Sequence, residues 1–199
     1  YWAGNKEKAL KRADELPSAA KNTVKEFLLA GNEKMVLCQK NIILHLQELC
    51  YSLLTRADVN CENDPQLKDT DRIKILNKIV DVSEAIFENE DYNFHYRLIS
   101  LVCTHIAAVA VRSKDYDEAF ENLIKALNFA IAADELPERK PYTSLAVNKL
   151  VYDMYDISVS SPTLCCKELL GYLNWSVYDE IRDTEMFQEI YLKAKEHCD

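Results

Sequence analysis

Two stretches of helical periodicity, Tyr92 to Ser113 and Tyr116 to Asp134, are separated only by Lys114-Asp115. So short a connection forces two antiparallel helices to lie side by side. Ala107, Ala108 and Ala110 fall near the middle of the first stretch, and Ala119 and Ala126 lie in the second. Small side chains at facing places let two helix axes approach toward the near end of the usual spacing of about 8–10 Å. The rest of the chain has to pack around this pair.

Residues 92–136 also follow a repeat pattern. An aromatic after the turn and an alanine three residues later, here Tyr116-Asp117-Glu118-Ala119, are features of a tetratricopeptide repeat, and Leu123 and Ala126 continue it. The usual terminal proline is missing, with Ile131 in its place and Pro137 later. Gly4-Asn5-Lys6-Glu7-Lys8-Ala9-Leu10 resembles the same turn and second helix. The chain is therefore expected to begin inside a repeat whose first helix lies upstream of Tyr1.

Further helices are expected over Asn5–Leu16, from Ser18 to Ala30, from Asn32 to about Ala57, and from Thr70 to about Asn89. Gly31 separates the second from the third as a helix terminator. Residues 58–68 form a polar loop. Residues 137–161 are irregular, broken by Pro137 and Pro141, with a short helix expected from Leu145 to Tyr152. Leu164–Leu173 and Thr184–His197 close the chain. Only 3 Gly and 5 Pro occur in 199 residues, few for a sheet protein and enough for long helices with short loops. The expected fold is all-α, a single domain over residues 1–199 built as an α-solenoid of antiparallel helix pairs.

Charge and cysteine usage narrow the function. The 33 Asp+Glu outnumber the 24 Lys+Arg, for a net charge of −9 and no basic run. Nucleic-acid backbones demand the opposite balance, so this stretch alone is expected to bind DNA or RNA poorly. Seven cysteines, an odd count without Cys-x-x-Cys, mostly follow the helical apolar pattern, as small buried hydrophobes do. No secretory leader and no apolar span of about 20 residues is evident, so no membrane association and a reducing cytoplasm are expected.

No catalytic constellation stands out. Gly4, Gly31 and Gly171 are isolated and cannot build a phosphate loop, and no Gly-x-Ser-x-Gly elbow occurs. The carboxylates alternate with lysine, as on a solvated helix face. Cys103 and His105 lie about 200° apart around a helix. Cys38 and His45 share a face, but no third or fourth ligand accompanies them. The expectation is a protein that is not an enzyme and takes no metal or cofactor. A redox role for the adjacent Cys165 and Cys166 would need an exposed thiol with a depressed pKa.

An aromatic and polar stripe is the candidate site: Tyr92, His95, Tyr96, Asn128, Tyr142, Thr143, Ser144 and Asn148. Stacked helix pairs create a concave wall lined by their first helices. Asn and Tyr on such a wall can bond a peptide backbone while apolar pockets take its side chains. Packing and helix capping are the competing roles, Thr143 and Ser144 being possible caps.

Three blocks together carry a family resemblance. They are SKDYDEAFENLIKALNFAIAADELP at 113–137, Tyr142-Thr143-Ser144-Leu145 with Val147-Asn148-Lys149-Leu150, and Tyr178-Asp179-Glu180-Ile181-Arg182-Asp183 with Phe187-Gln188-Glu189-Ile190. In order and spacing the chain resembles the C-terminal helical region of Cro/repressor-like helix-turn-helix transcription regulators of Firmicutes, the xenobiotic-response-element type. No helix-turn-helix lies within the 199 residues. The resemblance implies a sensor and oligomerisation region, with the DNA reader upstream of Tyr1. It further implies a peptide, small molecule or protein partner on the concave face, and a homodimer. The competing reading is a stand-alone tetratricopeptide-like scaffold for protein–protein contacts, with no link to DNA.

Overall fold

The computed structural model describes residues 5–16, 24–58, 66–88, 91–153 and 164–198. These residues are mostly helical. In chain order the elements are α1 (Lys6–Ala13), α2 (Gly31–Ala57), α3 (Asp69–Ile86), α4 (His95–Arg112), α5 (Tyr116–Asp134), β1 (Arg139–Pro141), β2 (Val151–Asp153), α6 (Cys165–Leu173) and α7 (Glu185–Glu196). A 3-10 turn at Ser176–Tyr178 joins the last two, and residues 24–28 are also helical. The expected cap Ser18 lies outside the described residues, as does most of the expected loop at 58–68. Among the described residues no helix is long and apolar enough to cross a membrane.

The α4–α5 pair forms as the alanine pattern requires. Ala107, Ala108, Ala110, Ala119, Ala126 and Ala130 are all fully buried. The helices are close enough for Ser100 Oγ of α4 to donate to the Ala126 carbonyl of α5 at 2.8 Å. The three-residue turn between them, Ser113 to Asp115, closes both helix ends. Lys114 takes φ +64°, its N–H reaches the Val111 carbonyl at 2.9 Å, and the Asp115 N–H reaches Ala110 at 2.9 Å. That pair of bonds is a Schellman ending. Asp115 Oδ1 then caps α5 by accepting from Glu118 N at 3.1 Å.

From α2 to α7 each helix packs on its sequence neighbour, with added contacts of α4 to α6 and α5 to α7. Two apolar clusters result. Leu98, Val102, Ile106 and Val109 of α4 join Leu46, Cys50 and Leu54 of α2 and Leu76 and Ile79 of α3. Ile99, Cys103, Ala107 and Ala110 of the same helix join Leu123 of α5, Leu169 and Leu173 of α6, and Phe187 and Ile190 of α7.

The contact between α5 and α6 includes a cap that one helix supplies to the other. Asp134 ends α5, where a carboxylate opposes that helix's own dipole. Its two oxygens instead accept from the first amides of α6, Cys165 N at 2.5 Å and Cys166 N at 2.8 Å. Asp134→Ala is expected to destabilise the fold by about 1–2 kcal/mol. The denaturation midpoint should drop at unchanged slope, and an unchanged midpoint would show that the cap contributes nothing.

Residues 145–152 depart from the expected helix. They form a turn at 145–149 and then β2, which pairs antiparallel with β1 in the register Arg139↔Asp153, Lys140↔Tyr152, Pro141↔Val151. The Tyr142 N–H extends the ladder to the Leu150 carbonyl at 3.1 Å. The apolar spacing that suggested a helix instead places Tyr142, Val147 and Leu150 in the cluster of α2, α3 and α4. The helix expected from Tyr92 begins at His95, because Asn93 adopts φ +48° and turns the chain before it.

Candidate functional site

An aromatic cluster forms where the hairpin meets the segment between α3 and α4. Phe87 lies at its centre. Its ring centroid is 5.9 Å from Tyr92, 4.9 Å from His95 and 6.0 Å from Tyr142, which stacks on it at 24°. Tyr92 also contacts Tyr96 at 5.5 Å and Phe129 of α5 at 5.9 Å. Phe94 stacks on Tyr152 at 6.4 Å and 7° and meets the His95 ring edge-on at 4.9 Å.

The candidate residues are therefore brought together unevenly. Tyr92, His95, Tyr142 and Ser144 are buried inside the molecule, and Tyr96 is half-buried. Thr143 and Asn148 are exposed on the hairpin. Asn128 is exposed on α5 and takes no part in the cluster's ring or hydrogen-bond contacts among the described residues.

Polar side chains fasten the hairpin to the helices. Asp91 Oδ1 accepts from Lys140 Nζ at 2.7 Å, and Asp91 Oδ2 accepts from Thr143 N at 2.9 Å and Thr143 Oγ1 at 2.5 Å. Burial pushes the Asp91 carboxyl up, but the bonds from Lys140 and Thr143 and the Lys140 charge outweigh it and hold the group below its usual range. Ser144 Oγ donates to the Ile86 carbonyl. From α2, Gln39 Nε2 donates to Asn148 Oδ1 at 3.2 Å, while Gln39 Oε1 accepts from the Lys149 amide at 2.6 Å. Gln39, Phe87 and Asp91 are absent from the stripe visible in the sequence. Gln39 stands 109 residues from Asn148, and no local pattern links them.

His95 and Asn93 are the least satisfied groups here. Both are fully buried, and among the described residues neither ring nitrogen of His95 and neither amide atom of Asn93 has a hydrogen-bond partner. Burial pulls the His95 pKa down to about 4, so the ring is neutral at pH 7. The cluster is thus made of mostly buried aromatic rings, with the hairpin fastened beside them by amide, hydroxyl and carboxylate groups. Among the described residues no group of three or more His, Cys, Asp or Glu is placed to hold a metal ion.

Cys165 and Cys166 meet neither condition of a redox sensor. Both are buried, and burial raises both thiols, Cys165 to about 12. In the folded protein a thiol reagent should label the half-exposed Cys38 and Cys198 first. Labelling of Cys165 or Cys166 ahead of them, read by peptide mass spectrometry, would contradict this.

The class these observations define is a mostly helical protein whose apolar core includes a side-chain-clamped hairpin. No family model, curated protein or solved structure matches the chain.

Proposed function

We propose that the chain is an α-solenoid of antiparallel, tetratricopeptide-like helix pairs, and that it is the regulatory and oligomerisation part of a bacterial helix-turn-helix transcription regulator. The observation that carries this reading is the packing of α2 to α7 in chain order, each on its neighbour and the later ones also on the next but one. Repeat arrays pack in that way, each unit touching only those beside it. Under this reading α2, α4 and α6 are the first helices of three pairs, and their shared wall receives a peptide, small-molecule or protein partner.

DNA is reached only through a reader upstream of Tyr1. A partner that prefers one arrangement of the helices changes the spacing of two such readers by its differential affinity for the two arrangements. Matching two half-sites calls for a homodimer, acting in the cytoplasm and without a cofactor. Sedimentation equilibrium tests the oligomeric part, with a dimer at micromolar concentration expected. The reading frame preceding Tyr1 tests the DNA link, with a tri-helical repressor-like pattern expected in the preceding 60–80 residues or so. A monomer at every concentration, with no such pattern upstream, would overturn the reading and leave the stand-alone scaffold.

A further inference from the structure

The hairpin is held on the helices as a bound peptide is held. Its strands have three residues each, and an isolated two-stranded hairpin is marginally stable at best. Its position is therefore set from outside. Three side chains, Tyr142, Val147 and Leu150, are buried among α2, α3 and α4. Two side-chain acceptors on the receiving side, Asp91 and Gln39, take the main-chain N–H groups of Thr143 and Lys149. That division is a mode of peptide recognition: main-chain bonds hold any sequence, and the pockets select one. Leu145, at the turn between the anchors, remains 73% exposed.

We propose that residues 140–150 are an intramolecular occupant of a peptide-binding surface. The surface consists of Gln39, Ile86, Phe87, Asp91 and the adjoining apolar faces of α2 and α4. The partner that displaces the hairpin is a peptide segment of matching chemistry: an aromatic anchor, a hydroxyl side chain directly after it, and two aliphatic anchors further on. This inference rests on the receptor reading above and names the partner class and its built-in competitor. A competitor on the same chain lowers the apparent affinity by the fraction of molecules in which it is lifted.

The test uses the full chain and a fluorescent peptide with the sequence of residues 139–153, followed by anisotropy. The Thr143→Ala/Asn148→Ala protein loses the Thr143 hydroxyl bond to Asp91 and the Asn148 bond to Gln39, keeps the Lys140–Asp91 pair and both main-chain bonds, and leaves the receiving groups in place. Both replaced residues are exposed, so the fold should tolerate the change. This variant is expected to bind the peptide about ten times more tightly than the unaltered protein, and adding Gln39→Ala should remove the gain. Equal affinities, or no binding by either protein, overturn the proposal. Amide exchange in the unaltered protein provides a second arm that needs no variant. The Thr143 and Lys149 amides should exchange about a hundred times faster than those of Cys103 to Val109, through an opening that leaves α4 closed. Exchange at one common rate would make the hairpin a fixed part of the core and would also overturn the proposal. A dimer seen by sedimentation would still support the wider reading, because that measurement does not depend on the hairpin opening.

Discussion

Ala126→Leu is expected to destabilise the protein by about 2–4 kcal/mol, the sum of overpacking and one lost hydrogen bond. Ala126 is fully buried between α4 and α5, and its carbonyl accepts from Ser100 Oγ across the interface at 2.8 Å. Three added carbons have no room while that bond is intact. The axes must separate, or α5 must rotate and carry Leu123 and Ala130 out of register. At this chain length the melting temperature should fall by roughly 5–15 °C. Ala126→Ser, nearly unchanged in volume, serves as the control. If the Leu protein melts within about 2 °C of the parent, the interface is looser than its alanines and the Ser100 bond imply.

Acid should weaken the fold through His95, and His95→Leu should remove that weakness. The unfolded histidine titrates near 6.5, and the folded one near 4 because burial disfavours its charged form. Between those values the unfolded chain binds a proton that the folded chain refuses. Stability is therefore fully present above pH 6.5 and is lost as the pH falls toward 4, by about 3 kcal/mol in all. His105 is lowered by burial in the same direction, with Asp58 opposing, so it adds to the slope in both proteins. Asp91, held below its usual range, contributes only at lower pH. The Leu protein loses ring contacts with Phe87 and Phe94, but that loss is the same at every pH. Urea melts at pH 7 and pH 4 should show the gap between the two proteins changing by about 3 kcal/mol in favour of Leu at the acid end. Parallel curves would mean that His95 takes up its proton within the fold.

Local periodicity made most of the helices legible. The alanine-lined pair of α4 and α5, the turn at Lys114-Asp115 and the closing helices could be placed because each depends on residues three to five apart. The hairpin could not be. The spacing of Val147, Leu150 and Val151 is as compatible with a helix as with a turn and strand, and the choice was made by Gln39 and Asp91, which are distant in sequence. Of the candidate site, Tyr92, His95 and Tyr142 were visible as aromatics around the α4–α5 pair. Phe87, which joins them, was indistinguishable from an ordinary core residue of α3. The left-handed backbone at Lys114 was equally hidden, since lysine is a common helix residue, whereas Asn93 is of a residue type that takes this conformation more readily.

Helix α4 carries one apolar cluster on each flank, with the hairpin and the early helices on one side and α5 to α7 on the other. Fourteen of the eighteen residues of this rod are buried, so neither half can peel off it without baring an apolar flank. Heat should therefore dissolve both flanks in one cooperative event, and a calorimeter should record a single endotherm whose van't Hoff and calorimetric enthalpies agree.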